Sequence, residues 1–155
     1  MPADLNVKAP EFELQSNKGE TVKLSDKLAA GPVVLVFFPL AFSGVCTEEM
    51  CEFRDNLAEL NGLKAQLFAV SVDSRFALNA FAEKNQMEFP LLSDFNKEVS
   101  KTYGAQYETF LGMNGVAKRS AFVIDKEGVI RYRWVSEDAK VKPNLNEIRE
   151  ALKAL

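Results

Sequence analysis

The 155-residue chain contains no histidine, only two cysteines and a single tryptophan. The absence of histidine excludes hydrolytic triads and Cys-His pairs, imidazole proton shuttles and histidine metal sites. Two cysteines are too few for a four-sulfur zinc site within one chain or for a disulfide-rich secreted scaffold. We therefore expect neither a metal nor a cofactor, and any chemistry has to use other side chains.

Long apolar runs and a strong charge of one sign are also missing. No apolar stretch approaches the length that spans a bilayer, and the N-terminal residues lack the basic and apolar regions of a signal peptide. The formal net charge is -3, and the 19 Lys and Arg residues are spread along the chain, so nucleic acid is not an expected partner. With two thiols that suit a reducing compartment, these absences predict a cytoplasmic protein without a membrane contact.

What is present is the composition of an ordinary globular domain, with 47% hydrophobic and 26% charged residues. No internal repeat, low-complexity tract or linker divides the sequence. A chain of this length hides roughly 70% of its unfolded surface on folding, which is enough for one core without metal or disulfide. We therefore expect a single domain over residues 1–155.

The hydrophobic pattern predicts a mixed α/β fold. Segments 11–15 and 21–24 alternate in polarity and predict an N-terminal β-hairpin, while the apolar run 33–38 predicts a central strand covered on both faces. Further strands are expected at 67–72, 90–92, 121–124 and 129–134, and helices at 46–60, 76–84, 97–103 and 145–152. Alternating strands and helices imply parallel pairing, and a final hairpin makes the central sheet mixed, with helices on both sides.

Cys46 lies where the central strand gives way to the next helix, at the sheet edge where reactive groups gather in α/β proteins. If Ser43 caps that helix, Cys46 occupies the third helical position, where free backbone N–H groups favour a thiolate. The neighbouring glutamates oppose a second negative charge, so a cation from elsewhere is needed. Arg119 is our candidate, because it precedes strand 121–124, which meets the end of the central strand if the two are antiparallel.

The spacing Pro39-x-x-x-Ser43-x-x-Cys46 after an apolar strand, with Arg119 far downstream, resembles the active site of the peroxiredoxins. The resemblance extends over nearly the whole chain and includes segments 89–94, 103–104 and 122–125. Within the family it is greatest to the alkyl hydroperoxide reductase E and bacterioferritin comigratory branches. It implies a thioredoxin-like fold and a thiol-dependent peroxidase that reduces hydrogen peroxide or alkyl hydroperoxides through a cysteine sulfenic acid.

The resemblance also implies a role for each site residue. Cys46 is expected to be the peroxidatic cysteine, with Ser43 bonding the peroxide, Pro39 shielding the pocket, Arg119 polarising thiolate and peroxide, and Glu49 orienting the arginine. Serine stands where many relatives have threonine, so the hydroxyl is kept but the methyl that fixes its rotamer is lost. Taken singly, these residues also fit a helix cap, a strand terminator or a buried cysteine, and their common register favours catalysis.

Cys51 matches the resolving cysteine that comigratory-type relatives often carry five residues after the first. In an intact helix such positions have Cα atoms about 8.7 Å apart, beyond the roughly 7 Å limit of a disulfide. We therefore expect oxidation to unwind the start of the helix and to form a Cys46–Cys51 disulfide, which thioredoxin or another thiol reduces. If Cys51 is passive, an external thiol resolves the sulfenic acid instead.

Two other functions remain open from the sequence. A thioredoxin-like disulfide reductase would share the fold, but its chemistry is associated with Cys-x-x-Cys, whereas four residues separate the cysteines here. A binding module without activity would also keep the fold. By analogy with the family a homodimer is expected, and its conceivable contact residues are Phe42, Phe81, Phe110 and Trp134.

Overall fold

A seven-stranded mixed sheet lies at the centre of the protein, for which a computed structural model describes residues 3–155. Over these residues the strands are β1 (Glu13–Ser16), β2 (Thr21–Lys23), β3 (Val33–Phe37), β4 (Gln66–Ser71), β5 (Leu91–Ser93), β6 (Thr109–Phe110), β7 (Met113–Asn114), β8 (Ser120–Ile124) and β9 (Ile130–Val135). The helices are α1 (Leu24–Leu28), α2 (Gly44–Asp55), α3 (Leu57–Gly62), α4 (Arg75–Asn85), α5 (Glu98–Thr102) and α6 (Leu145–Lys153). None of these helices has both the length and the apolarity to cross a membrane.

The strand order across the sheet is β2-β1-β5-β4-β3-β8-β9. Strand β4 is parallel to both of its neighbours, β3 and β5, whereas β1, β8 and β9 run antiparallel to the strands beside them. Strands β1 and β2 form the expected N-terminal hairpin. The mixed sheet predicted from the hydrophobic pattern is thereby confirmed.

Strand β3 divides the core into two clusters, because its side chains alternate between the faces of the sheet. Val34 and Val36 pack with residues of α2, α3, α4 and α6 on one face, while Leu35 and Phe37 pack with Leu24 and residues near α5 on the other. All five residues of β3 have no exposed surface, and each such side chain stabilises the fold by roughly 1.5–3 kcal/mol. The end of β3 is therefore a rigid base for the loop that follows.

The expected continuous helix over 46–60 is wrong, because α2 and α3 are separate helices that meet at Asn56. Asn56 leaves helical geometry at φ -108° and ψ 8°, and its side-chain amide donates to the Glu52 carbonyl at 2.8 Å. Asparagine competes for backbone carbonyls in this way, which favours helix ends over helix interiors. The apolar spacing continues across the break and hides it in the sequence.

One expected dimer-contact residue is also corrected by the fold. Phe81 has no exposed surface, because its ring packs on Phe38 and Phe42, with centroids 6.1 Å and 5.1 Å away. A side chain enclosed in the core cannot contact a second copy of the chain. Phe42 is 51% exposed, whereas Trp134 is half-buried against the core.

Candidate active site

The loop from Pro39 to Ser43 connects β3 to α2 and sets the position of Cys46. Pro39 is buried two residues after the end of β3, and Phe42 takes a left-handed conformation with φ +70°. Ser43 then has the extended backbone of an N-cap residue, and its carbonyl accepts the Thr47 N–H at 2.9 Å. Cys46 is therefore the third residue of α2, as the spacing predicts.

Ser43 occupies the cap position without capping through its side chain. Its hydroxyl makes no bond to a helix N–H and instead donates to the Leu40 carbonyl at 2.9 Å. The side chain is exposed and lines a pocket beside α2. The expected capping bond is thus replaced by a local loop bond, which leaves the hydroxyl oxygen facing solvent.

Arg119 contacts Cys46 because β8 is antiparallel to β3. The register places Ser120 opposite Phe37, so the residue before β8 lies beside the end of β3. The Arg119 Nη2 group donates to the Cys46 Sγ atom at 3.1 Å, and both side chains are buried. A guanidinium at this distance stabilises a thiolate through a charge-assisted hydrogen bond.

Two further acceptors hold the guanidinium in place. Its Nη1 group donates to the Glu49 Oε2 atom in a buried ion pair, and Nε donates to the Ala139 carbonyl at 2.9 Å. Arg119 therefore bridges Cys46 and Glu49, which lie three residues apart on α2. The Ala139 carbonyl was not foreseen, since a main-chain acceptor leaves no trace in residue types.

The charges at this bridge are unequal in number. Glu49 is 1% exposed, its Oε1 atom has no hydrogen-bond partner among residues 3–155, and burial raises its pKa to about 7 against the opposing effect of Arg119. Burial disfavours the charged form of Arg119, yet Glu49 and Cys46 outweigh it and raise the arginine pKa. One guanidinium thus contacts two groups that can carry a negative charge. A thiolate beside it meets the least repulsion while the Glu49 carboxyl is protonated.

A pocket of about 540 Å³ opens in front of Arg119. Its lining is mostly apolar and includes Pro39, Ser43, Val45, Tyr107, Phe110 and Leu111. The short hairpin formed by β6 and β7 supplies one wall. Small-molecule sites commonly combine such an apolar lining with a few polar groups, which here include Ser43 and Arg119 beside Glu137, Asp138 and Lys140.

Comparison with known proteins shows the family of the chain. Residues 5–133 match the AhpC/TSA family. This chain belongs to that family. It is 36% identical to alkyl hydroperoxide reductase E of Mycobacterium tuberculosis, with 86% of each chain covered. It is also 35% identical to peroxiredoxin Bcp of Bacillus subtilis, with 99% of this chain and 97% of the relative covered.

A solved structure extends the similarity to the fold. Peroxidoxin BcpB from Mycobacterium tuberculosis superposes with a TM-score of 0.89 at 31% identity, covering 99% of this chain and 98% of that one. The fold is therefore thioredoxin-like, as expected, and the chain is a peroxiredoxin, an enzyme of the thiol-dependent peroxidase class. The enzymatic class excludes the binding module that the sequence left open.

In this peroxiredoxin the second cysteine lies apart from the first. Cys51 is half-buried on α2, and its thiol lies 3.9 Å from the Asn85 Oδ1 atom of α4, whereas Cys46 faces Arg119. Both cysteines are free thiols on one unbroken helix. The structure therefore brings Cys46, Arg119 and Glu49 together but does not bring Cys51 to Cys46.

One polar residue at this edge was missed by the sequence analysis. The Asp73 carboxylate, two residues after β4, accepts the Ala41 N–H at 2.8 Å and so reaches the loop that precedes α2. A signal was available, since polar residues after the carboxyl ends of adjacent parallel strands share one edge of the sheet. The sequence motif that indicates the site follows β3 and does not include Asp73.

Proposed function

We propose that Cys46 is the peroxidatic nucleophile of this enzyme. The observation that carries the proposal is the 3.1 Å contact between Arg119 Nη2 and Cys46 Sγ, made by a guanidinium that also lines the pocket. The thiolate attacks the terminal oxygen of a hydroperoxide, an S–O bond forms and the O–O bond breaks. Sulfur gives two electrons to the peroxide, and the departing oxygen takes the proton that the thiol gave up, leaving as water or an alcohol.

The neighbouring residues support this step in different ways. Arg119 stabilises the thiolate and the negative charge that develops on the departing oxygen. Ser43 lies at the pocket wall, where its hydroxyl can turn from Leu40 to the peroxide. Pro39 offers no N–H and shields the sulfur, while Glu49 orients Arg119 through the hydrogen bond that Nη1 donates to its Oε2 atom.

We assign both hydrogen peroxide and organic hydroperoxides as substrates. Hydrogen peroxide needs only Ser43 and Arg119, whereas the apolar lining between Val45 and Leu111 suits an organic substituent. A pocket of about 540 Å³ is large enough for both. The lining gives no reason to reject the smaller peroxide, since Ser43 and Arg119 serve each substrate alike.

The sulfenic acid is resolved by Cys51 in this proposal. The Cys51 sulfur attacks the Cys46 sulfur, an S–S bond forms, the S–O bond breaks and water leaves. Because both residues lie on unbroken α2, the first turns of that helix have to unwind. A dithiol protein such as thioredoxin then reduces the disulfide. The placement of Cys51 against α4 keeps resolution by an external thiol as the second candidate.

Stopped-flow oxidation of the reduced protein tests the peroxidatic role. Trp134 packs against the core cluster that contains Cys46 and supplies the fluorescence signal. Hydrogen peroxide should change that signal far faster than it oxidises a free thiol, and Cys46→Ser should abolish the change. A rate equal to that of a free thiol, or a signal that survives in Cys46→Ser, contradicts the proposal.

Intact-mass analysis after one equivalent of peroxide tests resolution. The wild-type protein should lose two hydrogens as the disulfide forms, while Cys51→Ser should retain one added oxygen on Cys46. A wild-type sulfenic acid that persists with Cys51 still free favours resolution by an external thiol. The same samples show whether α2 unwinds, because disulfide formation should reduce the far-ultraviolet circular dichroism of the wild-type protein but not that of Cys51→Ser.

The proposal of a homodimer keeps Phe42, which is exposed, and Phe110, which is half-buried and lines the pocket, as possible contact residues. Sedimentation of the reduced chain at several concentrations tests this assembly. A protein that sediments as a monomer at every concentration contradicts it. The cytoplasmic location predicted from the sequence stays a prediction, and fractionation of the producing cells tests it.

A further inference from the structure

Among the described residues, one hydrogen bond ties the loop 39–43 to a segment beyond the loop and α2. Within residues 3–155, the Ala41 N–H to Asp73 Oδ2 bond, at 2.8 Å, is the hydrogen bond that links this loop to an element other than itself and α2. The other loop bonds are local: Ser43 Oγ donates to the Leu40 carbonyl, and the Ser43 carbonyl accepts from Thr47. Asp73 is therefore the residue outside the loop and α2 that is hydrogen-bonded to the segment preceding Cys46.

The Asp73 side chain is itself held firmly. Its Oδ2 atom accepts a hydrogen bond from Ser71 Oγ at 2.6 Å, and the same hydroxyl accepts the Asp73 N–H at 3.1 Å. The Asp73 carbonyl accepts from Ser93 Oγ at 2.6 Å, which ties it to β5. Ser71 has no exposed surface. The carboxylate is thus a fixed acceptor rather than a mobile surface group.

The loop that it holds is strained. Phe42 has φ +70°, a left-handed conformation that costs a bulky residue free energy and persists only where surrounding contacts enforce it. The contacts on either side of this strain are the Ala41–Asp73 bond and the packing of the Phe42 ring on Phe81. Release of the loop relieves the strain, so the held conformation depends on these contacts.

We propose that Asp73 is a positioning residue that latches the loop in the conformation that presents Cys46 to peroxide. The Ala41 bond exists only while the loop is closed, so it stabilises the closed loop relative to any open one. Peroxide attack needs the closed loop, because Cys46 has to stay beside Arg119. Disulfide formation needs α2 to unwind from its first turn, which adjoins this loop. This second half rests on the proposed role of Cys51.

The latch therefore has opposite effects on the two chemical steps. Without it, fewer molecules hold Cys46 in the reactive arrangement, and Cys46 oxidation slows. The same molecules are already open for resolution, so the sulfenic acid disappears faster. A residue that merely stabilises the fold would not separate the steps in this way.

The matched variants are Asp73→Ala, which removes the acceptor, and Asp73→Asn, whose amide oxygen can still accept the Ala41 N–H. Hydrogen exchange of the Ala41 amide, followed by NMR in a Cys51→Ser background, measures directly how often the Ala41–Asp73 bond is broken. Protection should fall roughly 10-fold or more in Asp73→Ala and remain near the reference value in Asp73→Asn. The Leu35 amide in β3 exchanges through global unfolding and shows how much of any change reflects overall stability.

Stopped-flow kinetics provide the second readout. In the Cys51→Ser background, Asp73→Ala should slow Cys46 oxidation by roughly 3- to 10-fold and speed alkylation of Cys46 by iodoacetamide. With Cys51 present, the disulfide should form faster from the sulfenic acid in Asp73→Ala than in the wild-type protein. Asp73→Asn should restore all three rates towards those of the reference proteins.

Unchanged Ala41 protection in Asp73→Ala overturns the latch, and so does a change of oxidation and disulfide formation in the same direction. If Asp73→Ala does not fold, Ser71→Ala takes its place, because it frees the carboxylate from its orienting hydroxyl and should give smaller changes of the same sign. Absence of a disulfide in the wild-type protein refutes the role of Cys51 alone, since amide exchange and alkylation are measured without that residue.

Discussion

Arg119 reaches Cys46 across 73 positions of the chain, with its Nη2 atom 3.1 Å from Sγ. The contact follows from the antiparallel register of β8 on β3, which places the residue before Ser120 at the end of the central strand. Helix N–H groups alone provide partial charges, whereas this guanidinium provides a full one. The reactivity proposed for Cys46 therefore depends on sheet pairing as well as on the local motif.

Replacement of Arg119 should slow peroxide reduction. A single hydrogen bond to a charged group contributes about 1.5–3 kcal/mol, so Arg119→Lys, which loses the planar set of donors, should slow Cys46 oxidation by about 10- to 100-fold. Stopped-flow fluorescence of reduced protein with hydrogen peroxide measures the rate. Arg131→Lys is the control, because Arg131 is an exposed arginine paired with Asp125.

Arg119→Ala alone would leave Glu49 buried without its cation, a change that typically costs about 3–5 kcal/mol of stability. The double variant Arg119→Ala with Glu49→Gln removes both charges and keeps the kinetic test free of this effect. It should oxidise at least as slowly as Arg119→Lys. Oxidation at the wild-type rate in either protein would remove Arg119 from the mechanism.

The buried carboxyl of Glu49 should make stability fall as pH rises. Burial raises its pKa from 4.5 to about 7, so between these values the folded state binds more protons than the unfolded state. The stabilising contribution is complete below pH 4.5 and is lost as pH rises through about 7. Relative to Glu49→Gln, the wild-type protein should lose about 3 kcal/mol between pH 4 and pH 8.

Urea unfolding at a series of pH values measures this difference. Glu48→Gln is the matched control, because Glu48 is the exposed neighbour on α2 and should leave the pH dependence unchanged. Parallel stability curves for the wild-type protein and Glu49→Gln would show that Glu49 titrates alike in both states. Glu49 would then be an ordinary partner of Arg119 rather than a carboxyl that keeps a proton near neutral pH.

The hydroxyl of Ser43 should matter for rate and little for stability. Ser43→Ala should slow Cys46 oxidation by about 3- to 10-fold, the range of one neutral hydrogen bond, whereas Ser43→Thr keeps the hydroxyl and should stay near the wild-type rate. Thermal unfolding should barely change, because Ser43 makes no side-chain capping bond.

Ser74→Ala offers the opposite pattern as a control. Its hydroxyl accepts the Ala77 N–H and caps α4, so its loss should cost about 1 kcal/mol of stability and leave peroxide oxidation unchanged. A Ser43→Ala protein that oxidises normally but melts early would mean that Ser43 serves the helix rather than the substrate.

The hairpin wall of the pocket should favour organic substrates. Leu111 is 81% exposed and lines the pocket, so Leu111→Ser should lower the rate with cumene hydroperoxide by about 3- to 10-fold and leave the rate with hydrogen peroxide unchanged. Met113→Ser is the control, since Met113 lies on the same hairpin but outside the pocket lining. Equal losses with both peroxides would refute a contact between Leu111 and the organic group.

The central elements were predictable because their signals are local and long enough to read. The five apolar residues of β3 cannot form an exposed segment, and the apolar spacing around Met50 and Phe53 predicts a helix on that strand. Short elements were missed because they contain too few residues to show a pattern: α1 has five residues, and β6 and β7 have two each. The end of α2 at Asn56 was hidden by apolar residues that continue the helical spacing beyond it.

The sequence by itself determined that this chain has no histidine chemistry, that Cys46 stands third in a helix after a buried strand, and that a peroxiredoxin motif surrounds this thiol. Only the tertiary structure decided which distant groups meet there: Arg119 through the register of β8, the Ala139 carbonyl behind it, and Asp73 from the end of β4. The reason is that helical position follows from spacing along the chain, whereas contacts between distant residues follow from strand order and register, which the packing of the whole core selects.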